Sequence, residues 1–155
     1  MGAAFFYHLT ESPLEVTLPM LLGKARGAGW RVLVRGPQPL LEQLDAKLWD
    51  GPPEAFLPHG LAGGEHDAAQ PILLGQDIPG EGFDCIMSVG SAAVTPAEVG
   101  LSQRVCLLFD GADGAALEVA RGQWKALTGA GCSAQYWAQD EGRWVKKAES
   151  SGDQP

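Results

Sequence analysis

The segment from Ala115 to Leu127 carries the residue types in this chain that are best suited to recognising a ligand. Its periodicity predicts a helix on which Arg121 and Lys125, four residues apart, stack on one face, with Leu117 beside Arg121. A second face, expected to pack on the sheet, consists of Ala116, Val119, Ala120, Gln123 and Leu127, and Trp124 lies at the border between the two faces. A guanidinium matches a carboxylate and an indole suits an apolar side chain. The pattern therefore predicts a notch for a peptide that ends in a hydrophobic residue.

The same residues also allow a purely structural interpretation. Trp124 could belong to the core with its indole N–H satisfied, and Arg121 could pair with Glu118 or Asp113. Residue type and spacing alone leave both interpretations open.

Sequence signatures of phosphate binding and catalysis are missing from the chain. Neither G-x-G-x-x-G nor G-x-S-x-G occurs, and the glycine-rich run at 23–29 lacks the first glycine and the hydroxyl of a P-loop. The three histidines and three cysteines show no metal-ligand spacing. The chain therefore lacks the usual catalytic signatures, and we expect no cofactor and no metal site.

The distribution of charge limits the class of partner. The net charge of −8 over 155 residues opposes tight binding to a nucleic-acid backbone. Residues 48–103 contain no lysine or arginine. Between 115 and 148, by contrast, five basic residues outnumber three acidic ones: Arg121, Lys125, Arg143, Lys146 and Lys147 against Glu118, Asp140 and Glu141. A locally basic carboxyl-terminal part suits a small acidic partner.

Short apolar runs alternate with helical patterns, which predicts one α/β domain over residues 1–149 followed by a polar tail at 150–155. The predicted strands are 4–7, 31–35, 72–74, 83–89, 104–109 and 134–139. Their near-continuous apolar character is typical of parallel strands covered on both faces. The chain has no run long enough to span a membrane and no signal peptide, so we expect a cytoplasmic protein.

Three helices and a long loop complete the prediction. The first helix has Ser12 as N-cap and Pro13 at its first position, and it ends near Gly27. The others span 39–49 and 113–128, and Asp113 or a neighbouring residue is expected to cap the latter. Residues 52–70, rich in Pro, Gly and Ala, are predicted to form an ordered loop.

Six segments, taken together and in order, resemble the chi subunit of DNA polymerase III holoenzyme, a bacterial clamp-loader accessory protein. They are Phe6–Leu9, Gly29–Val34, Leu44–Trp49, Phe56–Leu61, Gln70–Leu74 and Ala120–Leu127. Between 75 and 103 only the hydrophobic pattern matches. The resemblance implies a three-layer α/β/α Rossmann-like fold with a mostly parallel sheet. It also implies a non-catalytic adaptor that binds the acidic C-terminal tail of single-stranded-DNA-binding protein and, where present, the psi subunit.

The resemblance also assigns residues to the tail site. Arg121, Trp124 and Lys125 match an arginine, an aromatic and a lysine of that site, and Trp49 matches a tryptophan near the same pocket. Leu117 stands where some relatives have a basic residue. Gly122 is a second departure, since a glycine inside a helix costs about 1 kcal/mol relative to alanine.

Phe56, Leu57, Pro58 and His59 form an apolar motif that either tucks into the core or presents a psi interface.

Two alternatives come from other functional classes. A small α/β nucleotide-binding protein or hydrolase would hold its ligand at the carboxyl ends of the strands. The other alternative is direct binding of single-stranded nucleic acid through Trp49, Trp124 and two lysines near the carboxyl terminus, Lys146 and Lys147. The net negative charge opposes it.

Overall fold

An eight-stranded β-sheet lies between two layers of helices. This computed structural model describes residues 2–50, 58–63, 67–76 and 78–150. The strands in these ranges are β1 (Ala3–Leu9), β2 (Val32–Arg35), β3 (Gly60–Leu61), β4 (Ile72–Leu74), β5 (Cys85–Ser88), β6 (Arg104–Asp110), β7 (Ser133–Asp140) and β8 (Arg143–Ser150). The helices are α1 (Leu14–Gly27), α2 (Gln38–Trp49), α3 (Pro96–Leu101) and α4 (Gly114–Gly129). No helix in the described ranges has the length and apolar character needed to cross a membrane.

The strand order is β3-β4-β2-β5-β6-β1-β7-β8. Every neighbouring pair is parallel except β7 and β8, which form an antiparallel hairpin. The α/β fold with a mostly parallel sheet is therefore confirmed.

Alternation along the strands divides the core between the two faces of the sheet. In β1, Phe6 points into the layer that holds α3 and α4, whereas Tyr7 points into the layer that holds α1 and α2. The central strands are buried on both sides, which accounts for their continuous apolar sequences. Helices α2 and α4 consequently lie on opposite faces.

Helix α1 begins one residue later than the sequence predicts. Pro13, not Ser12, is its N-cap, and it provides no side-chain cap. The side chain of Gln139, on β7, instead holds the loop that precedes the helix. Its Oε1 accepts hydrogen bonds from the backbone N–H groups of Thr10, Glu11 and Ser12, with N···O distances of 2.9 to 3.1 Å.

Among the described residues, two strands and one helix were not predicted, namely β3, β8 and α3, and neither was one short 3-10 turn. Strand β3 and a 3-10 turn at Asp67–Ala69 lie in the segment predicted to be a loop, of which 58–63 and 67–70 are described. Strand β8 follows a two-residue turn in which Glu141 and Gly142 both have positive φ. Glutamate rarely adopts that conformation, so the turn lacks the usual Asn-Gly or Asp-Gly signature. Strand β8 runs to Ser150, and 151–155 lie outside the described residues.

The Glu98 carboxylate connects three segments on the α3 side of the sheet. It accepts two hydrogen bonds from the Arg35 guanidinium, at 2.6 and 2.9 Å, and others from the backbone N–H groups of Gly80 and Thr95. The Arg35 hydrogen bonds lower the pKa of Glu98 from 4.5 to about 2, against the opposing effect of burial.

We expect Glu98→Gln to lower the free energy of unfolding by about 2 to 3 kcal/mol near neutral pH. The folded state prefers the ionised carboxylate, so this contribution is complete above pH 4.5 and is lost as the pH falls toward about 2. Urea denaturation of wild type and variant at neutral and acidic pH measures it. The exposed Glu81→Gln is the control. An equal loss of stability in the two variants would contradict this assignment.

Candidate functional site

A surface groove of about 580 Å³ lies between helix α4 and the β7–β8 hairpin. Its lining residues are Glu118, Arg121, Gly122, Trp124, Lys125, Tyr136 and Ala148. The structure therefore brings together three of the residues predicted from the sequence, Arg121, Trp124 and Lys125, on one open surface.

The N-terminal cap and the buried face of α4 set the orientation of these side chains. The Asp113 carboxylate caps the helix by accepting hydrogen bonds from the N–H groups of Ala115 and Ala116. The predicted core face is buried at Ala116, Ala120 and Leu127.

Two residues of that predicted face behave differently. Val119 is 42% exposed, so the expectation that it packs on the sheet is wrong. The side chain of Gln123 is only partly buried, and its Oε1 accepts a hydrogen bond from the N–H of Val94. The buried stripe of α4 is thus narrower than the helical periodicity predicts.

Aromatic rings form the wall of the groove next to the sheet. The Trp124 ring packs edge-on against Phe6, with centroids 5.3 Å apart, and against Tyr136, at 6.1 Å. The Tyr136 hydroxyl is hydrogen-bonded to Nδ1 of His8 at 2.9 Å. Both structural and binding roles of Trp124 are compatible with this arrangement, since the ring packs on the core and also lines the groove.

Burial favours the neutral forms of two titratable groups at this wall. It raises the pKa of the Tyr136 hydroxyl, although the positive charge of Arg121 acts in the opposite direction. Burial also lowers the pKa of His8, against the opposing effect of Asp110. Both shifts favour the uncharged side chain, so this wall of the groove adds no charge to that of the rim.

The opposite rim of the groove is polar and exposed. Arg121 Nη1 lies 2.9 Å from Glu118 Oε2, which is the pairing that the structural interpretation anticipated. The two side chains are 68% and 74% exposed, so the pair is weak and the guanidinium is available to another carboxylate. Lys125 is exposed one turn further along the helix.

The late lysines have acidic neighbours. Lys146 Nζ lies 2.9 Å from Glu149 Oε1, and Lys147 Nζ lies 3.7 Å from Asp140 Oδ2. Neither lysine lines the groove.

Two predicted site residues lie elsewhere. Leu117 is half-buried against the core and does not line the groove. Trp49 ends α2 on the opposite face of the sheet, where its ring lies 5.1 Å from that of His59. The structure therefore does not bring Trp49 to the α4 groove.

The motif considered for a psi interface is described only in part. Phe56 and Leu57 lie outside the described residues, whereas Pro58 is exposed. The His59 side chain is buried, with Nε2 3.2 Å from Asp45 Oδ1. This placement supports a structural role for His59.

Sequence reasoning missed Tyr136 and Ala148, which form the β-hairpin side of the groove. Ala148 belongs to the unpredicted strand β8. Tyr136 lay within a predicted strand, but its place opposite Trp124 depends on β7 pairing with β1.

A second crevice, of about 620 Å³, lies at the carboxyl ends of β1 and β6. Glu11, Glu15, Asp110 and Asp113 line it. The N–H groups of the β1–α1 loop, which could otherwise cradle a phosphate, already donate to Gln139. The crevice therefore does not suit a nucleotide, because its lining is acidic and the N–H groups of the loop already have an acceptor. In the described ranges, no three His, Cys, Asp or Glu side chains are arranged to hold a metal ion.

A family model for the DNA polymerase III chi subunit, HolC, matches residues 1–135. The chain belongs to this family. The chi match covers α4 with Arg121, Trp124 and Lys125, and it ends just before Tyr136. The hairpin side of the groove thus lies beyond the part that the chi family model covers. A search of curated proteins found no match.

Gly122 lies inside α4 at a position where a β-carbon would meet no other atom within 4 Å. We expect Gly122→Ala to raise the free energy of unfolding by about 0.5 to 1 kcal/mol, because alanine has less conformational entropy to lose. Urea denaturation measures it. Gly23→Ala, at an equally open position in α1, is the matched control. A fall in stability for Gly122→Ala alone would show that the surroundings of Gly122 differ from this description.

Proposed function

We propose that this protein is a non-catalytic accessory subunit of the bacterial DNA polymerase III holoenzyme that binds the acidic C-terminal tail of single-stranded-DNA-binding protein. Family membership supports the replication role. The α4 groove supports the tail binding, because an exposed guanidinium and an exposed ammonium lie beside an apolar wall. Such an adaptor acts in the cytoplasm, where it would couple the clamp loader to coated single-stranded DNA.

The observation that carries the proposal is the position of Arg121 relative to the aromatic wall. A chain that ends in an apolar residue presents a carboxylate and a hydrophobic side chain on the same α-carbon. Arg121 offers a planar donor pair for the carboxylate, and the Trp124 and Tyr136 rings offer a surface for the side chain. Lys125 would attract acidic residues further back in the tail, and these contacts would weaken as salt increases.

A psi interface at the loop around Pro58 is also part of the proposal. Pro58 is exposed beside the Trp49–His59 pair, on the face of the sheet opposite α4. A psi subunit there would leave the α4 groove open to the tail.

We expect Arg121→Ala to weaken binding of an acidic peptide ending in Ile-Pro-Phe by about 1.5 to 3 kcal/mol, or roughly 10- to 150-fold. Loss of the charge-assisted hydrogen bonds to the terminal carboxylate is the cause. Calorimetric titration of wild type and variant measures the change. Lys47→Ala removes the same charge from α2, on the other face, and serves as the control.

Equal affinities for wild type and Arg121→Ala would exclude Arg121 from the site. Saturable binding of a nucleotide, or turnover of a phosphoester, would favour the nucleotide-binding or hydrolase alternative instead.

Glu118 competes with the peptide for the Arg121 guanidinium. We expect Glu118→Gln to strengthen binding of the same peptide about two- to threefold, since the carboxylate partner is removed from an exposed and weak ion pair. The same titration measures the gain. Glu42→Gln, on α2, is the control. Weaker binding by Glu118→Gln would show that Glu118 contacts the peptide favourably and does not compete.

A further inference from the structure

The face of the sheet opposite the α4 groove is incompletely covered at its β7–β8 end. Helix α1 packs mainly on β2 and β6, and α2 packs on β3 at the far edge. Strands β1, β7 and β8 therefore present aromatic side chains beside α1. Trp137 and Trp144 are only partly buried there, although both pack on the core of this layer.

A cavity of about 420 Å³ lies between α1 and the sheet, where β1, β5, β6, β7 and β8 all contribute lining residues. Phe5, Trp30, Trp137 and Trp144 contribute aromatic surface to it, and Met20 contributes an exposed edge from α1. Met20 is 43% exposed, and Val16, one turn earlier, is 59% exposed. An apolar stripe on α1 thus continues into an aromatic groove, which we call the α1 groove.

The charged residues that line the α1 groove are both basic, Lys24 and Arg104. The Arg104 guanidinium lies over the Phe5 ring at 4.1 Å from its centroid and near Trp30 at 5.3 Å. No acidic residue lines this groove within the part of the chain that the structure describes. That is notable on a protein with a net charge of −8. The charge pattern selects an acidic partner.

We propose that the α1 groove docks an amphipathic helix of a partner protein, with apolar residues in the aromatic groove and acidic residues against Lys24 and Arg104. The uncovered strands lie where a further helix of this layer would pack in an α/β sheet. The exposed Val16–Met20 stripe offers such a helix a flank to pack against. This inference does not rest on the tail-binding function, because the two grooves lie on opposite faces of the sheet.

Two other occupants fit less well. A second copy in a symmetric dimer would place Lys24 and Arg104 close to their own equivalents, which repel. Single-stranded nucleic acid would meet stacking surfaces but would also meet the net negative charge of the protein.

The test uses two synthetic amphipathic helical peptides of about 18 residues, with leucine at helical spacing on one face. One carries glutamates on its flanks, and the other carries lysines at the same positions. Indole N–H signals of the ¹⁵N-labelled protein report the binding site. We expect the glutamate peptide to shift the signals of Trp30 and Trp144 and to leave that of Trp124 unchanged.

We further expect Lys24→Glu to weaken this binding at least about fivefold, since the variant reverses a charge at the rim. Met20→Asp should abolish it, and both positions are exposed, so the variants should fold. Lys47→Glu, on α2, is the matched control.

Equal binding of the lysine peptide, no binding of either peptide, or shifts confined to Trp124 would overturn the proposal. Two further results would also overturn it. One is a dimer of the wild-type protein that the Met20→Asp substitution disrupts. The other is a larger shift of the Trp30 and Trp144 signals with oligothymidylate than with the glutamate peptide.

Discussion

The contact of the Trp124 ring with Phe6 and Tyr136 determines the geometry of the candidate site. It joins α4 to β1 and to β7, which are neighbours in the sheet but lie far apart in the sequence. Because the indole edge is held there, Arg121 and Lys125 extend from the outer side of the same helix. An apolar surface and two cationic side chains therefore lie next to each other on one helix.

Much of this arrangement could be predicted from local sequence. The central strands are apolar runs that need cover on both faces, and α4 has a clear cap at Asp113 and a periodic apolar stripe. Arg121, Trp124 and Lys125 were predicted together because residues three and four apart on a helix are neighbours. Their meeting in one groove follows from that local geometry.

The remaining features depend on contacts between distant segments. Tyr136 enters the groove through the pairing of β7 with β1, and Ala148 enters through a hairpin whose turn contains an unfavourable Glu141. Trp49 lies on the other face because the connections put α2 and α4 in different layers. Ser12 was predicted to cap the N-terminus of α1, but its backbone N–H, with those of Thr10 and Glu11, donates to the side chain of Gln139 on β7, and α1 has no side-chain cap. None of these pairings is visible in short-range spacing.

The most direct measurement compares an acidic peptide ending in Ile-Pro-Phe with the same peptide carrying a C-terminal amide. In the proposed complex, Arg121 recognises the free carboxylate while the aromatic wall receives the last side chain. We therefore expect the amide to bind at least about tenfold more weakly, and the free acid to shift the indole signal of Trp124. Equal affinity of the two peptides, or binding that leaves Trp124 unshifted, would contradict it.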